Sequence, residues 1–262
     1  MPAVATPGGV PLSLRGFTSA ASIPDPGDFT IGDENALAFL RGLYQGDSRV
    51  ARAGARTLDA MKAVQERLPR NDKGEVAPYE PENGAAYPDQ GELGIPLRNL
   101  ARLIKMDVGL RAAAVDFAGW DTHQNQAGRF PGLVEQLAGA LAAFHGDLSG
   151  YHNRLTVVVM SEFGRRLKPN AAGGTGHGRG GVMLALGTNV NGGRVYGAWP
   201  GLAAARLENG ADLAVTTDYR VILAELLVRR LGASRLAATF PGLETYRPLN
   251  MFKGTDVKTD LG

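Results

Sequence analysis

The 262-residue chain carries 28 Lys and Arg against 26 Asp and Glu, is 44% hydrophobic and 21% charged, and has no cysteine. A net charge of +2 gives no bias toward nucleic acid or an anionic membrane, and the lack of cysteine excludes disulfides, thiolate zinc sites and cysteine nucleophiles. No run approaches the ~20 apolar residues of a transmembrane helix, and "MPAVATPGGVPLSLRG" lacks the basic-then-apolar order of a signal peptide. The expectation is a soluble chain, one large domain or two small ones.

Residues 1–33 are rich in Pro and Gly, with only short pieces such as "VPLSL" suggesting order. "ENALAFLRGLYQG" (34–46) spaces Leu37, Leu40, Leu43 and Tyr44 as a helix, and 49–68 continues as a second one. Residues 69–94, with several prolines, read as a long loop of the kind that is functional or mobile. "IPLRNLARLIKMD" predicts a helix and "VGLRAAAVDF" a strand. "LVEQLAGALAAFHGDLSGY" puts Leu133, Leu137, Leu141, Phe144 and Leu148 on one helical face. "RLTVVVM" predicts a strand covered on both faces and "VMLALG" another. "TTDYRVILAELLVRRLG" predicts a helix capped by Thr216 or Thr217 and closed by Gly232. The order implies an α/β fold, a mostly parallel sheet sandwiched by helices, with ligands beyond the strand ends. Expected boundaries are an irregular and helical region over 1–94, an α/β core over 95–250 and a tail over 251–262.

Chemistry-bearing residues cluster after predicted strands. Asp121 and His123 follow the first, and Ser161, Glu162 and Arg165 follow "TVVVM". His177 sits in "GGTGHGRGG", a loop that can return to the same edge. Two histidines and two carboxylates converging there would suit zinc, manganese or magnesium, an ion that polarises an ester and activates water near neutral pH. Each piece also has a plainer reading. Asp121 and His123 alone could be loop hydrogen-bonders, Glu162 could pair with Arg165 or Arg166, and Ser161 reads first as a helix cap, since no nucleophile elbow surrounds it.

"GHGRGG" (176–181) matches a dinucleotide fingerprint by letter, yet no strand precedes it and no helix follows, so nucleotide binding is rejected. What remains is close backbone approach to an oxyanion, with Arg179 helping, or a flexible turn. His145 and His152 read as solvent-facing, and Asp116, at the strand, as either site-facing or paired.

At "GWDTHQNQ", "VVVMSEFGRR", "GTGHGRGGVMLALG", "GGRVYGAWPGL" and "LAVTTDYRVILAELL" the chain resembles an uncharacterised bacterial domain family. That family is placed within the alkaline phosphatase and sulfatase superfamily, and many members carry a twin-arginine export signal. The resemblance runs from about residue 90 to 245 and implies an alkaline phosphatase-like fold with divalent metal at the strand ends. By motif, Asp121 and His123 resemble its later Asp-His pair, Glu162 its post-strand acid and His177 its last histidine.

Relatives often read G-T-D-H-G where this chain has Gly174-Thr175-Gly176-His177-Gly178. The family's N-terminal strand and its nucleophile turn have no counterpart, since "LAFLRGLYQGD" is helical in period. The chain thus resembles the C-terminal two-thirds of a longer protein, its sheet lacking the first strand and its catalytic nucleophile unassigned. A missing central strand leaves unpaired backbone and predicts marginal stability or self-association unless another segment fills the gap.

The leading expectation is therefore a metal-dependent hydrolase of phosphate or sulfate esters, truncated or inactive forms included. Metal falls to Asp121, His123, Glu162 and His177, and the anion to Arg165 and Arg179. The competing reading is a non-catalytic cell-envelope module that binds a glycan or a partner protein on the same fold. Full-length relatives would be periplasmic or extracellular.

Overall fold

The computed structural model describes residues 3–6, 11–15, 17 and 19–261. Strands β1 (Ala3–Thr6) and β2 (Ala20–Ser22) come first, followed by helices α1 (Glu34–Leu43), α2 (Arg49–Gln65) and α3 (Gly94–Lys105). Then come β3 (Ala112–Val115), α4 (Gln126–Asp147), β4 (Val157–Val159), β5 (Gly164–Arg165), β6 (His177–Gly178), β7 (Leu184–Leu186), α5 (Tyr219–Leu231) and α6 (Leu236–Thr239). No helix among the described residues is long and apolar enough to cross a membrane. The chain forms two compact units, Met1–Asp121 with Pro131–Ser149, and Thr122–Phe130 with Gly150–Gly262. Helix α4 runs from the second unit into the first at Pro131.

The first unit holds a three-stranded parallel sheet in the order β2-β1-β3, with Ala3 paired to both Ala20 and Ala112. The expected lack of an N-terminal strand is corrected here: β1 occupies the centre and is buried along its whole length. "AVAT" is four small residues without a readable period, set between prolines, so pattern alone passes over it. Val4 joins Ile23, Val64, Leu68, Leu103, Met106 and Val108 in one apolar cluster, the burial expected of a parallel strand covered on both faces. The central slot that would have destabilised the sheet is filled.

Local signals fix the helix starts. Asp33 caps α1 by accepting from the Asn35 and Ala36 amides, and Ser48 caps α2 through Ala51. The Pro-rich segment after α2 is pinned rather than loose. Asp147, fully buried at the end of α4, accepts hydrogen bonds from Tyr79 Oη (2.6 Å), Tyr87 Oη (2.8 Å), the Glu82 amide (2.8 Å) and Lys105 Nζ (2.6 Å). Lys105 also reaches Glu82 at 2.8 Å. Four donors on one carboxylate tie the loop to α3 and α4.

The second unit contains no parallel pair among its described residues. β4 pairs antiparallel with β7, Val158 opposite Ala185, and β5 antiparallel with β6, Arg165 opposite His177. The single mostly parallel sheet expected from the sequence is therefore a mixed α/β arrangement with one small parallel sheet. The Val157–Val159 strand forms where predicted and is half-buried rather than covered on both faces. Helix α5 starts at Asp218, whose side chain accepts from the Arg220 amide, not at Thr216 or Thr217; Gly232 closes it at φ 66° as expected.

The segment around Phe252 and Asp256 is tied to α5. Phe252 is fully buried with Val190 and Met251. The buried Glu225 accepts from the Leu249 amide (2.7 Å), the Phe252 amide (2.8 Å) and Arg229 (2.9 Å). Arg229 also forks onto Asp256 at 2.9 and 2.8 Å, and Tyr246 donates to Asp256 at 2.8 Å.

These pairs set a pH dependence. Burial alone would raise the Asp147 carboxyl, but the Lys105 and Tyr79 donors outweigh it and hold it below its usual range. The Arg229 fork lowers Asp256 in the same way. A depressed carboxyl contributes stability that is complete above its unfolded value of about 3.9 and is lost as pH falls through the folded value. Lys105 is desolvated yet raised by Asp147 and Glu82, and burial raises Tyr87, so their contributions fade as pH climbs above about 10. Urea titrations should give constant stability across neutral pH and a fall below about pH 4. Undiminished stability at pH 2.5 would contradict the carboxylate anchors.

Candidate metal centre

The segment that opens α4 and the loop before β6 are zipped together within the second unit. The Asn125 and Gln126 amides donate to the Ala172 and Gly173 carbonyls at 3.1 and 2.9 Å, and the Thr175 amide donates to Thr122 at 3.3 Å. Thr175 Oγ1 donates to Gln126 Oε1 at 2.8 Å. Asn170 is the hub. Its Oδ1 accepts from the Ala172 and Gly174 amides at 2.9 and 3.1 Å, and its Nδ2 donates to the His123 carbonyl at 2.9 Å. This is the side-chain-to-backbone turn chemistry that Asn performs well.

The zipper brings two imidazoles together. His123 Nε2 and His177 Nε2 lie 3.2 Å apart, with ring centroids at 4.8 Å. The Phe163 ring stacks on His177 at 4.0 Å and 8°, and the Arg165 guanidinium lies over the Phe163 ring, 4.9 Å from its centroid. Asp121, two residues before His123 along the chain, completes a group of three potential ligand atoms within 4.8 Å of one another, all on exposed residues.

Two nitrogens and one oxygen are a donor set suited to zinc or manganese. A cation roughly 2.1 Å from both nitrogens would see them at about 100°, near the tetrahedral angle. The residues fit a divalent ion.

Of the residues predicted for metal, Asp121, His123 and His177 come together. Glu162 stands outside the group, because β4 pairs with β7 and the chain then turns into the β5–β6 hairpin instead of continuing past a parallel strand end. Ser161 caps no helix, and its hydroxyl donates to the Phe163 carbonyl at 2.8 Å. The two arginines expected at the anion each have a partner in the chain. Arg165 donates to the Thr175 carbonyl at 2.7 Å, and Arg179 is paired with Glu208. Arg166 makes an ion pair with Asp212. Asp116 is exposed just past β3, His145 is exposed on α4, and His152 is half-buried; none belongs to the group.

Residues 176–181 form a hairpin strand and turn, with no helix after them, so the nucleotide fingerprint stays rejected. Their glycines serve close approach to the chain itself: a Cβ on Gly178 would lie 2.7 Å from the Arg165 backbone, and one on Gly180 would lie 2.5 Å from the Leu213 carbonyl. Sequence reasoning missed Phe163, Asn170 and Gln126. Only "PNAAGG", with Asn ahead of small residues and glycines, carried a turn signal that could have exposed one of them.

A family model described as a protein of unknown function, DUF1501, matches residues 43–227. No curated protein and no solved structure matches the chain.

Proposed function

The chain belongs to the DUF1501 family, and we propose that it is a metal-dependent hydrolase acting on an anionic ester, a phosphate or a sulfate. The carrying observation is that ligand atoms of Asp121, His123 and His177 lie within 4.8 Å of one another. A divalent ion held there would supply Lewis acidity toward the ester. The chain's own residues do the positioning. Asn170 fixes the backbone of His123, and the Phe163 ring sets the plane of His177, so both nitrogens are aimed before any ligand arrives. The alkaline phosphatase-like ancestry and the export of full-length relatives belong to the same proposal and rest on the motif resemblance.

The test is metal content by plasma mass spectrometry on the purified chain, beside a His123→Ala/His177→Ala variant. Near-stoichiometric zinc or manganese in the wild type, lost in the variant, is the expected outcome, followed by turnover of aryl phosphates or sulfates. Metal binding without turnover would leave the non-catalytic envelope module in its place. No metal in either protein after reloading would overturn the site.

A further inference from the structure

An open groove of about 510 Å³ borders His177 within the second unit, lined by Arg166, Lys168, Asn170, Gly176 and Gly210 among others. We propose that this groove binds the anionic head of an organic ester, a tetrahedral oxyanion carrying one substituent, through Arg166 and Lys168. This assignment rests on the hydrolase reading above and replaces Arg165 and Arg179 as the anion contacts.

The charge balance of the groove favours an anion. Both charged residues lining it are cations, with no carboxylate among the lining residues. Lys168 has no carboxylate partner among the described residues. Arg166 has one, Asp212, but Nε stands 3.7 Å from Oδ1, beyond hydrogen-bond reach. Asp212 Oδ1 is itself buried without a hydrogen bond. The Asp212 carboxylate thus steadies the guanidinium electrostatically, while no acceptor among the described residues engages its terminal Nη donors. Those donors are the planar fork that matches a tetrahedral oxyanion.

Position and size agree. The Arg166 amide donates to the Gly176 carbonyl at 3.0 Å, which registers Arg166 against the residue preceding His177. The groove therefore runs up to one of the proposed metal ligands, where the ester head would have to sit. Its volume lies in the range of small-molecule sites and exceeds the needs of an inorganic ion, so the ester's organic part has room.

The experiment is calorimetric titration at low ionic strength with 4-nitrophenyl phosphate, 4-nitrophenyl sulfate and uncharged 4-nitrophenyl glucoside. It compares wild type, Arg166→Gln/Lys168→Gln and the histidine variant His123→Ala, which removes a proposed metal ligand that does not line the groove, with circular dichroism confirming each fold. We expect at least one anionic probe to bind the wild type and the glucoside not to. The Arg-Lys variant should weaken anion binding about tenfold or more, and added salt should weaken it in the wild type. The histidine variant should retain anion binding even if it loses metal, which separates this inference from the metal reading. Equal binding by the Arg-Lys variant, equal binding of the glucoside, or loss of the anion in the histidine variant alone would each overturn the groove assignment.

Discussion

Replacing Asp147 with alanine should lower the melting midpoint of the first unit by on the order of 10 °C. The carboxylate is fully buried and receives four donors: two tyrosine hydroxyls, the Glu82 amide and the Lys105 ammonium. Removing one partner of a buried ion pair costs about 3–5 kcal/mol, since the remaining charge stays desolvated. Each orphaned neutral donor adds about 1–3 kcal/mol unless water reaches it. Taking the low end, a loss of about 3 kcal/mol shifts the midpoint of a unit this size by roughly 10 °C. Trp120 lies in the first unit and Trp199 in the second, so fluorescence of a Trp199→Phe background would report on the unit concerned.

A double change separates the ion pair from the rest of the network. If the Lys105–Asp147 pair dominated, Asp147→Leu/Lys105→Met would recover most of the loss, as apolar replacement of buried pairs often does. Here it should not, because Tyr79, Tyr87 and the Glu82 amide would still lack their acceptor. A double mutant as stable as wild type would show that the pair, not the convergence of donors, carries the energy.

How much of this was legible in advance depended on the range of the interaction. The helices at 34–43, 49–65, 94–105 and 219–231 lay where 3.6-residue spacing put them, because that period reflects one chain segment burying one face. Strand existence was readable from β-branching at Val157–Val159, but strand partners were not. A three-residue apolar run fits a parallel or an antiparallel neighbour equally well, and β4 took the antiparallel β7. β1 was missed because Ala, Val, Ala and Thr carry no amphipathic alternation when both faces are buried.

The candidate site divides along the same line. Asp121 and His123 were visible because they are two residues apart, and His177 because glycines frame it. Glu162 was expected beside them from an assumed parallel sheet edge and from the motif resemblance, and the β5–β6 hairpin removes the first of these premises. The supports, Phe163 and Asn170, act across 14 and 47 residues of chain, a distance at which side-chain type alone gives no pairing.

The most severe effect on the site is expected from Gly174→Ala, a change that adds one methyl group. A Cβ at this position would lie 2.2 Å from the His123 carbonyl carbon, 2.3 Å from its oxygen and 2.4 Å from the Thr122 oxygen. All three are backbone atoms, so no rotamer change can clear the overlap, and the two segments must separate. Separation breaks the 3.3 Å bond from the Thr175 amide to Thr122 and strains the Asn170 bonds to Gly174 and His123. His177 is three residues further along the separated segment, so the 3.2 Å approach of the two Nε2 atoms opens. Disturbing the supports of a metal ligand typically costs about 10- to 100-fold in affinity. Zinc binding followed by competition with a chromogenic chelator should weaken by about that factor, while the helical circular dichroism signal changes little. Gly192→Ala is the control, since nothing lies within 4 Å of its added methyl group. If Gly174→Ala bound zinc as tightly as Gly192→Ala, the zipper between the two loops would not be what holds the histidines together.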